Sequence, residues 1–333
     1  MYTELYFFIF LAFVALYLAL FEIRDSVYYP LSFIMFLLFS IVVRYSGYEI
    51  DLYKSYEPAM HSVSHMLYYL KEPVYWFGSR YLYQIVPNHH LVFTIFDMLC
   101  FIILLYVQKS LRLPKYFPFV FIGFFPLVLG MQNSYRQFIA SFFLLLTVSY
   151  AFNGKVAWKY FSFLFALLSH NSSILLMPLV FIFKGKTKRV SYLFHISMLF
   201  ITVLAYFFLN KKFFETTGDV DPLIFTIVIV SIYVLYFACM GRLTYRIKPE
   251  FYIVTYLSFL TVFVNLIASG GVAKRVGMIC LMLSLVFIVK LIDERFKQKK
   301  LIRITLIVIV FGVSLAFPAT WGMLTGVNSV FVV

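Results

Sequence analysis

An all-α bundle of transmembrane helices is the fold class this 333-residue sequence predicts, and three observations predict it. Hydrophobic residues make up 63% of the chain and charged ones 13%, more apolar surface than a water-soluble core can absorb. The apolar residues fall in long runs separated by short polar connections, as bilayer-spanning helices require. Lys and Arg alternate between rich and poor connections, sorting the loops into two sides. The 42 Phe and 26 Tyr supply lipid-facing bulk and interfacial anchors. They are spread too evenly to form a stacking surface for nucleic acid, which is excluded as a partner.

In chain order, Thr3–Phe21 is the first span; it lacks a basic leader and does not read as a cleavable signal. Pro30–Val43 follows. The stretch 44–90 is a polar, aromatic outer loop, interrupted by Val74–Val86, whose thirteen residues make about 20 Å of helix and suit an interfacial or re-entrant piece. The remaining spans are Leu91–Val107, Tyr116–Gly130, Phe138–Phe152, Ala157–Leu168, Ile174–Phe183, Ser191–Leu209, Pro222–Met240, Phe251–Ala268, Val276–Leu291 and Ile304–Trp321. That is about 12 spans in one integral-membrane domain, 1–333, with a smaller outer loop at 210–221. No internal repeat is visible.

Of the 28 Lys and Arg, nineteen lie in one alternating set of connections. The positive-inside rule places that set in the cytoplasm and both termini outside. Counting Val74–Val86 as a true span would instead invert only the chain before it. Most of the net charge of +14 is therefore an orientation signal. Cys100, Cys239 and Cys280 lie far apart in apolar runs, giving neither a disulfide framework nor metal-ligand spacing. His61 and His65 share i, i+4 spacing, but no further ligand follows them or His89 and His90, so no metal or cofactor is expected.

The polar island Met131–Gln137 carries the most chemistry, with Arg136 flanked by Asn133 and Gln137. A permanent cation at a helix mouth either snorkels to headgroups or grips an anion. Arg44, Arg136, His170 with Asn171, and Lys274 with Arg275 all fall at outer mouths, with Arg80 in the outer loop. Separated arginines suit a pyrophosphate, whose developing charge a fixed cation offsets. His170 is placed to move a proton or to hold a structural hydrogen bond. The loop carboxylates Glu49, Asp51 and Glu72 are candidates for a general base, or for holding a neighbouring arginine. Asp97, two turns inside a span, is either a functional intramembrane carboxylate or the partner of a serine or arginine on a neighbouring helix.

The order Arg44-Tyr-Ser-Gly-Tyr-Glu-Ile-Asp51, Glu72-Pro73, Asn133-Ser-Tyr-Arg-Gln-Phe-Ile-Ala140 and Ser169-His-Asn-Ser-Ser173 resembles bacterial polysaccharide polymerases of the Wzy and EpsG type. The resemblance covers roughly residues 1–185; beyond it only the helix count and Lys274-Arg275 look similar. Family members often carry Gly-x-Asp after the first arginine, where this chain has Gly47-Tyr48-Glu49 with Asp51 two residues on.

The resemblance implies a metal-independent inner-membrane glycosyltransferase with a GT-C-like helical core. Its substrates would be undecaprenyl-pyrophosphate-linked oligosaccharide donor and acceptor, joined into O-antigen or related polysaccharide at the periplasmic face, with membrane lipid and a chain-length regulator as partners. Carried over residue by residue, Arg136, His170, Glu72 and Asp51 would be catalytic. Arg275, Lys274, Arg44, Glu49, Asn133, Gln137, Asn171 and Arg80 would bind substrate. A flippase or other transporter, an O-antigen ligase and another polyprenyl-dependent transferase are the alternatives.

Overall fold

Among the described residues, prolines stand in the first turn of several helices, at Pro73, Pro118, Pro126, Pro249 and Pro318. The computed structural model describes residues 3–47, 60, 70, 72–181, 187–209, 221–240, 249–296 and 298–326. Every secondary-structure element among these is helical. The α-helices are α1 Thr3–Leu20, α2 Asp25–Tyr45, α3 Pro73–Ile85, α4 His89–Ser110, α5 Phe117–Gly123, α6 Phe125–Gln132, α7 Tyr135–Phe152 and α8 Val156–Ser169. A 3-10 helix, Asn171–Phe181, follows. Then come α9 Thr187–Leu209, α10 Leu223–Met240, α11 Pro249–Ile267, α12 Gly270–Arg295, α13 Lys299–Ala316 and α14 Pro318–Leu324.

Among the described residues, six helices are long and apolar enough to cross a membrane: α1, α2, α4, α7, α11 and α12. The bent pair α13–α14 makes a seventh candidate. The other apolar runs are helical but shorter or broken. Tyr116–Gly130 divides at an extended Phe124 (φ −76°, ψ 129°) into α5 and α6. Pro126 lacks an N–H, and its ring would collide with the carbonyl of Ile122 in a continuous helix. Ile304–Trp321 bends by 83°, because Pro318 drives the preceding Phe317 out of helical geometry (φ −79°, ψ 115°). The apolar stretch near residue 174 is a 3-10 helix with Pro178 inside it. α9 and α10 contribute the apolar stretches Tyr192–Phe207 and Leu223–Cys239.

The chain forms two compact units. Unit 1 comprises Met1–Phe143, Leu164–Asn171 and Gln298–Val333. In it α2 packs along α4, while α1 lies against α5 and α13. Aromatic contacts fasten these pairs. Phe36 of α2 stacks on Phe101 of α4 at 4.3 Å, and Phe8 of α1 meets Phe311 of α13 at 5.0 Å. Gly123 ends α5 directly over the Phe311 ring, where a Cβ would overlap the ring atoms. α3 lies on α4 and buries Tyr75, Trp76 and Ser79 while exposing Tyr81 and Ile85, the one-sided pattern of an interfacial helix. Asn88 caps α4 by accepting from the Leu91 amide at 3.2 Å.

Unit 2 comprises Leu144–Phe163 and Ser172–Lys297. There α10, α11 and α12 pack pairwise, with α9 against α11. Asn265 Nδ2 of α11 donates to Thr226 Oγ1 of α10 at 2.9 Å. Phe225 of α10 fills the space beside Gly277 of α12. Lys290 of α12 pairs with Glu250 of α11 at 3.0 Å.

Candidate functional site

Three stretches of unit 1 meet at one carboxylate. Glu72 sits just before α3, at the position that would cap it, yet its side chain makes no capping hydrogen bond. Pro73 already supplies the missing-donor start of that helix, which frees the carboxylate to point elsewhere. Its Oε2 receives Arg136 Nη1 from the first turn of α7. Its Oε1 lies 2.5 Å from His170 Nδ1 and accepts from the Asn171 amide at 3.4 Å. His170 is held at the end of α8 by its own amide, which donates to the Ala166 carbonyl at 3.0 Å. The Arg136 guanidinium also stands over the Trp76 ring at 5.3 Å, one turn along α3 from Glu72.

Exposure grades across this cluster. The Glu72 side chain is 5% exposed, His170 13% and Arg136 29%. The anion is therefore inside, and the cation opens toward the surroundings. Burial pushes the Glu72 carboxyl up. The hydrogen bond from His170, the electrostatic pull of His170 and Arg136, and the Asn171 amide outweigh it and hold the group below its ordinary value. An ionised carboxylate can only accept, so Nδ1 of His170 donates to Glu72, and Nε2 is the imidazole's other nitrogen.

Behind this cluster lies a second one, fully buried. Arg44, on the last turn of α2, grips Asp97 of α4 with both arms of its fork: Nε donates to Oδ2 and Nη2 to Oδ1, each at 2.7 Å. Ser40 donates to Oδ2 at 2.6 Å. The Tyr135 hydroxyl donates to Oδ1 at 2.8 Å. Arg44 Nη1 donates to the Met131 carbonyl at 2.8 Å, one of the orphan acceptors at the end of α6. The guanidinium also rests 4.6 Å from the Tyr135 ring and 5.3 Å from that of Phe93.

Arg44, expected among the substrate-binding residues, is 0% exposed and pairs with Asp97. Two unlike charges removed from water hold each other more strongly than an exposed pair does, which is why the fork and Asp97 close on one another. The milder reading of Asp97, a partner for a neighbouring helix's serine and arginine, is the one the structure bears out. Gln137 is also buried, at 1% exposure, and does not face solvent.

Of the other expected residues, Asn133 ends α6 and is half-buried, Asn171 is exposed with its amide on Glu72, and Arg80 is half-buried one turn past Trp76 on α3. Lys274 and Arg275 lie on the first turns of α12 in unit 2, half-buried and exposed respectively. Glu49 and Asp51 fall outside the described residues, as do His61 and His65. Among the described residues, no three His, Cys, Asp or Glu side chains gather as a metal site would require.

Sequence reasoning passed over Trp76 and Tyr135. The signal was present for both: Trp76 lies one helical turn from Glu72, and Tyr135 precedes Arg136 directly.

The model of the EpsG family matches this chain over residues 27–328. No curated protein and no solved structure matches it.

Proposed function

The chain belongs to the EpsG family of Wzy-type polysaccharide polymerase-like membrane proteins, and from that premise we propose that it lengthens a polysaccharide by transferring lipid-linked sugar chain onto an incoming repeat unit. The donor is an oligosaccharide on undecaprenyl pyrophosphate, the acceptor a second lipid-linked unit, and the product O-antigen or a related polymer. The observation that carries this reading is the convergence of Arg136 and His170 on Glu72.

In the proposed reaction, His170 Nε2 takes the proton of the acceptor hydroxyl while Glu72 holds Nδ1–H and so fixes the tautomer. The freed oxygen attacks the anomeric carbon of the donor. The bond from that carbon to the pyrophosphate oxygen breaks, and its electron pair leaves with undecaprenyl pyrophosphate. Arg136, the most exposed of the three side chains, offsets that developing charge. By the family resemblance, Lys274, Arg275 and Glu49 are assigned to substrate binding and Asp51 to catalysis.

The proposal carries its setting with it: a GT-C-like bundle of about 12 spans in the bacterial inner membrane, both termini and the site periplasmic, with a chain-length regulator as partner. A transporter would use a charged residue facing a path through the membrane. Asp97, a carboxylate inside a span, is paired with Arg44. A ligase is separated from a polymerase by polymer length at intact attachment.

Arg136→Ala should remain in the membrane while long polymer collapses to single repeat units on a gel. Polymer of unchanged length from that variant would sink the assignment.

A further inference from the structure

Arg136 is the second residue of α7, immediately after a break in the chain at Asn133-Ser134. Where its guanidinium lies therefore depends on what holds the two sides of that break. On the α6 side, the Met131 carbonyl is held by Arg44. On the α7 side, Tyr135 is held by Asp97 through its hydroxyl and by Arg44 through its ring. One buried ion pair thus clamps both sides at once.

Tyr135 also registers the opposite member of the site. Its ring meets Tyr75 edge-on at 6.1 Å, and Tyr75 is three residues beyond Glu72 on α3. Phe93 of α4 packs edge-on against the same ring at 5.1 Å. The segments carrying Arg136 and Glu72 are therefore both indexed on a side chain that touches neither charge.

We propose that Asp97, Arg44 and Tyr135 form a positioning device that sets Arg136 against its anionic ligand, a role that rests on Arg136 binding a polyprenyl pyrophosphate. The device acts through geometry. A bidentate fork allows one orientation of the two carboxylate oxygens, so Asp97 Oδ1 is fixed 2.8 Å from the Tyr135 hydroxyl, which also lies 3.1 Å from the Phe93 carbonyl. A displacement of about 1 Å at a charge-stabilising group is enough to cost on the order of a hundredfold in rate, and at Asn133-Ser134 the helix is interrupted, so the first turn of α7 has no helical continuity with α6.

The test uses the full-length protein in lipid nanodiscs, with farnesyl pyrophosphate as the probe. Tyr135→Phe removes one hydroxyl and keeps the ring. Tyr28→Phe is the matched control: an equally buried tyrosine at the other end of α2, about 24 Å from Arg44 along the helix, whose hydroxyl donates to the Lys115 carbonyl. Tyr135→Phe should weaken probe binding on the order of tenfold, while Tyr28→Phe binds as wild type does at a comparable thermal midpoint. Asp97→Asn should weaken it at least as much; should that variant fail to fold, the tyrosine pair still decides. Wild-type affinity in Tyr135→Phe, or equal loss in Tyr28→Phe, overturns the positioning role. Arg136→Ala separates the two levels: loss of binding there with no effect of Tyr135→Phe defeats only the positioning role, whereas wild-type binding in Arg136→Ala defeats the pyrophosphate reading itself.

Discussion

Replacing Glu72 by Gln keeps the shape of the side chain and removes the charge on which Arg136 and His170 converge. Two effects follow, of different size. Truncating one partner of a fully buried ion pair costs about 3–5 kcal/mol. Arg136 is 29% exposed, so water recovers part of its solvation, and the loss should be nearer 1–2 kcal/mol. The chemical effect is larger. A histidine whose Nδ1–H is no longer held by a carboxylate samples the wrong tautomer, and general-base catalysis by a positioned side chain is worth about 10²- to 10⁴-fold.

Glu72→Gln should therefore fold, insert and produce polymer at least about a hundredfold more slowly. Polymer length on a gel, together with sugar incorporation per membrane-inserted molecule, reads this. The stability component has its own signature. The folded-state carboxyl lies below its ordinary value of 4.5, so the stabilisation is complete above that value and is lost as pH falls through the lower, folded-state one. The gap in thermal midpoint between wild type and Glu72→Gln should hold at neutral pH and close in acid. Incorporation at the wild-type rate in Glu72→Gln would refute the reasoning, whatever the stability.

Arg44→Ala leaves Asp97 buried without its fork, and the cost should be about 3–5 kcal/mol, seen as lost yield and a lower thermal midpoint. Replacing both charges at once, as Arg44→Met with Asp97→Leu, should recover much of that stability; a double variant no more stable than Arg44→Ala would contradict the pairing. At Gly123 the space for a Cβ is taken by the Phe311 ring, so Gly123→Ala should cost about 1–3 kcal/mol. Adding Phe311→Leu should relieve it in the same melting assay.

Membrane residence and helical class follow from the share of apolar residues, because a backbone in lipid must satisfy its own hydrogen bonds and a helix does so locally. The candidate side chains are legible in the sequence for a similar reason: Arg136, His170 and Glu72 stand out as polar residues at the ends of apolar runs, and such residues are rare enough in a membrane chain to attract notice.

Where the runs break is only partly legible. Pro126 and Pro318 are plain in the sequence, but a proline near the end of an apolar run either kinks a span or divides it, and packing chooses between those outcomes.

The pairing of charges lies outside the sequence altogether. Glu72 joins partners 64 and 98 residues away, and Arg44 finds Asp97 across 53. Composition and periodicity report one element at a time, whereas an ion pair depends on which two elements the packing brings together. Hence two arginines that look alike on paper, both at helix ends and both among tyrosines, separate in the fold. Arg44 is sealed inside with Asp97, and Arg136 keeps 29% of its surface open beside Glu72. The sequence by itself determined that costly cations sit at the ends of membrane helices; tertiary packing alone decided which was fully enclosed with its carboxylate and which stayed partly open beside its own.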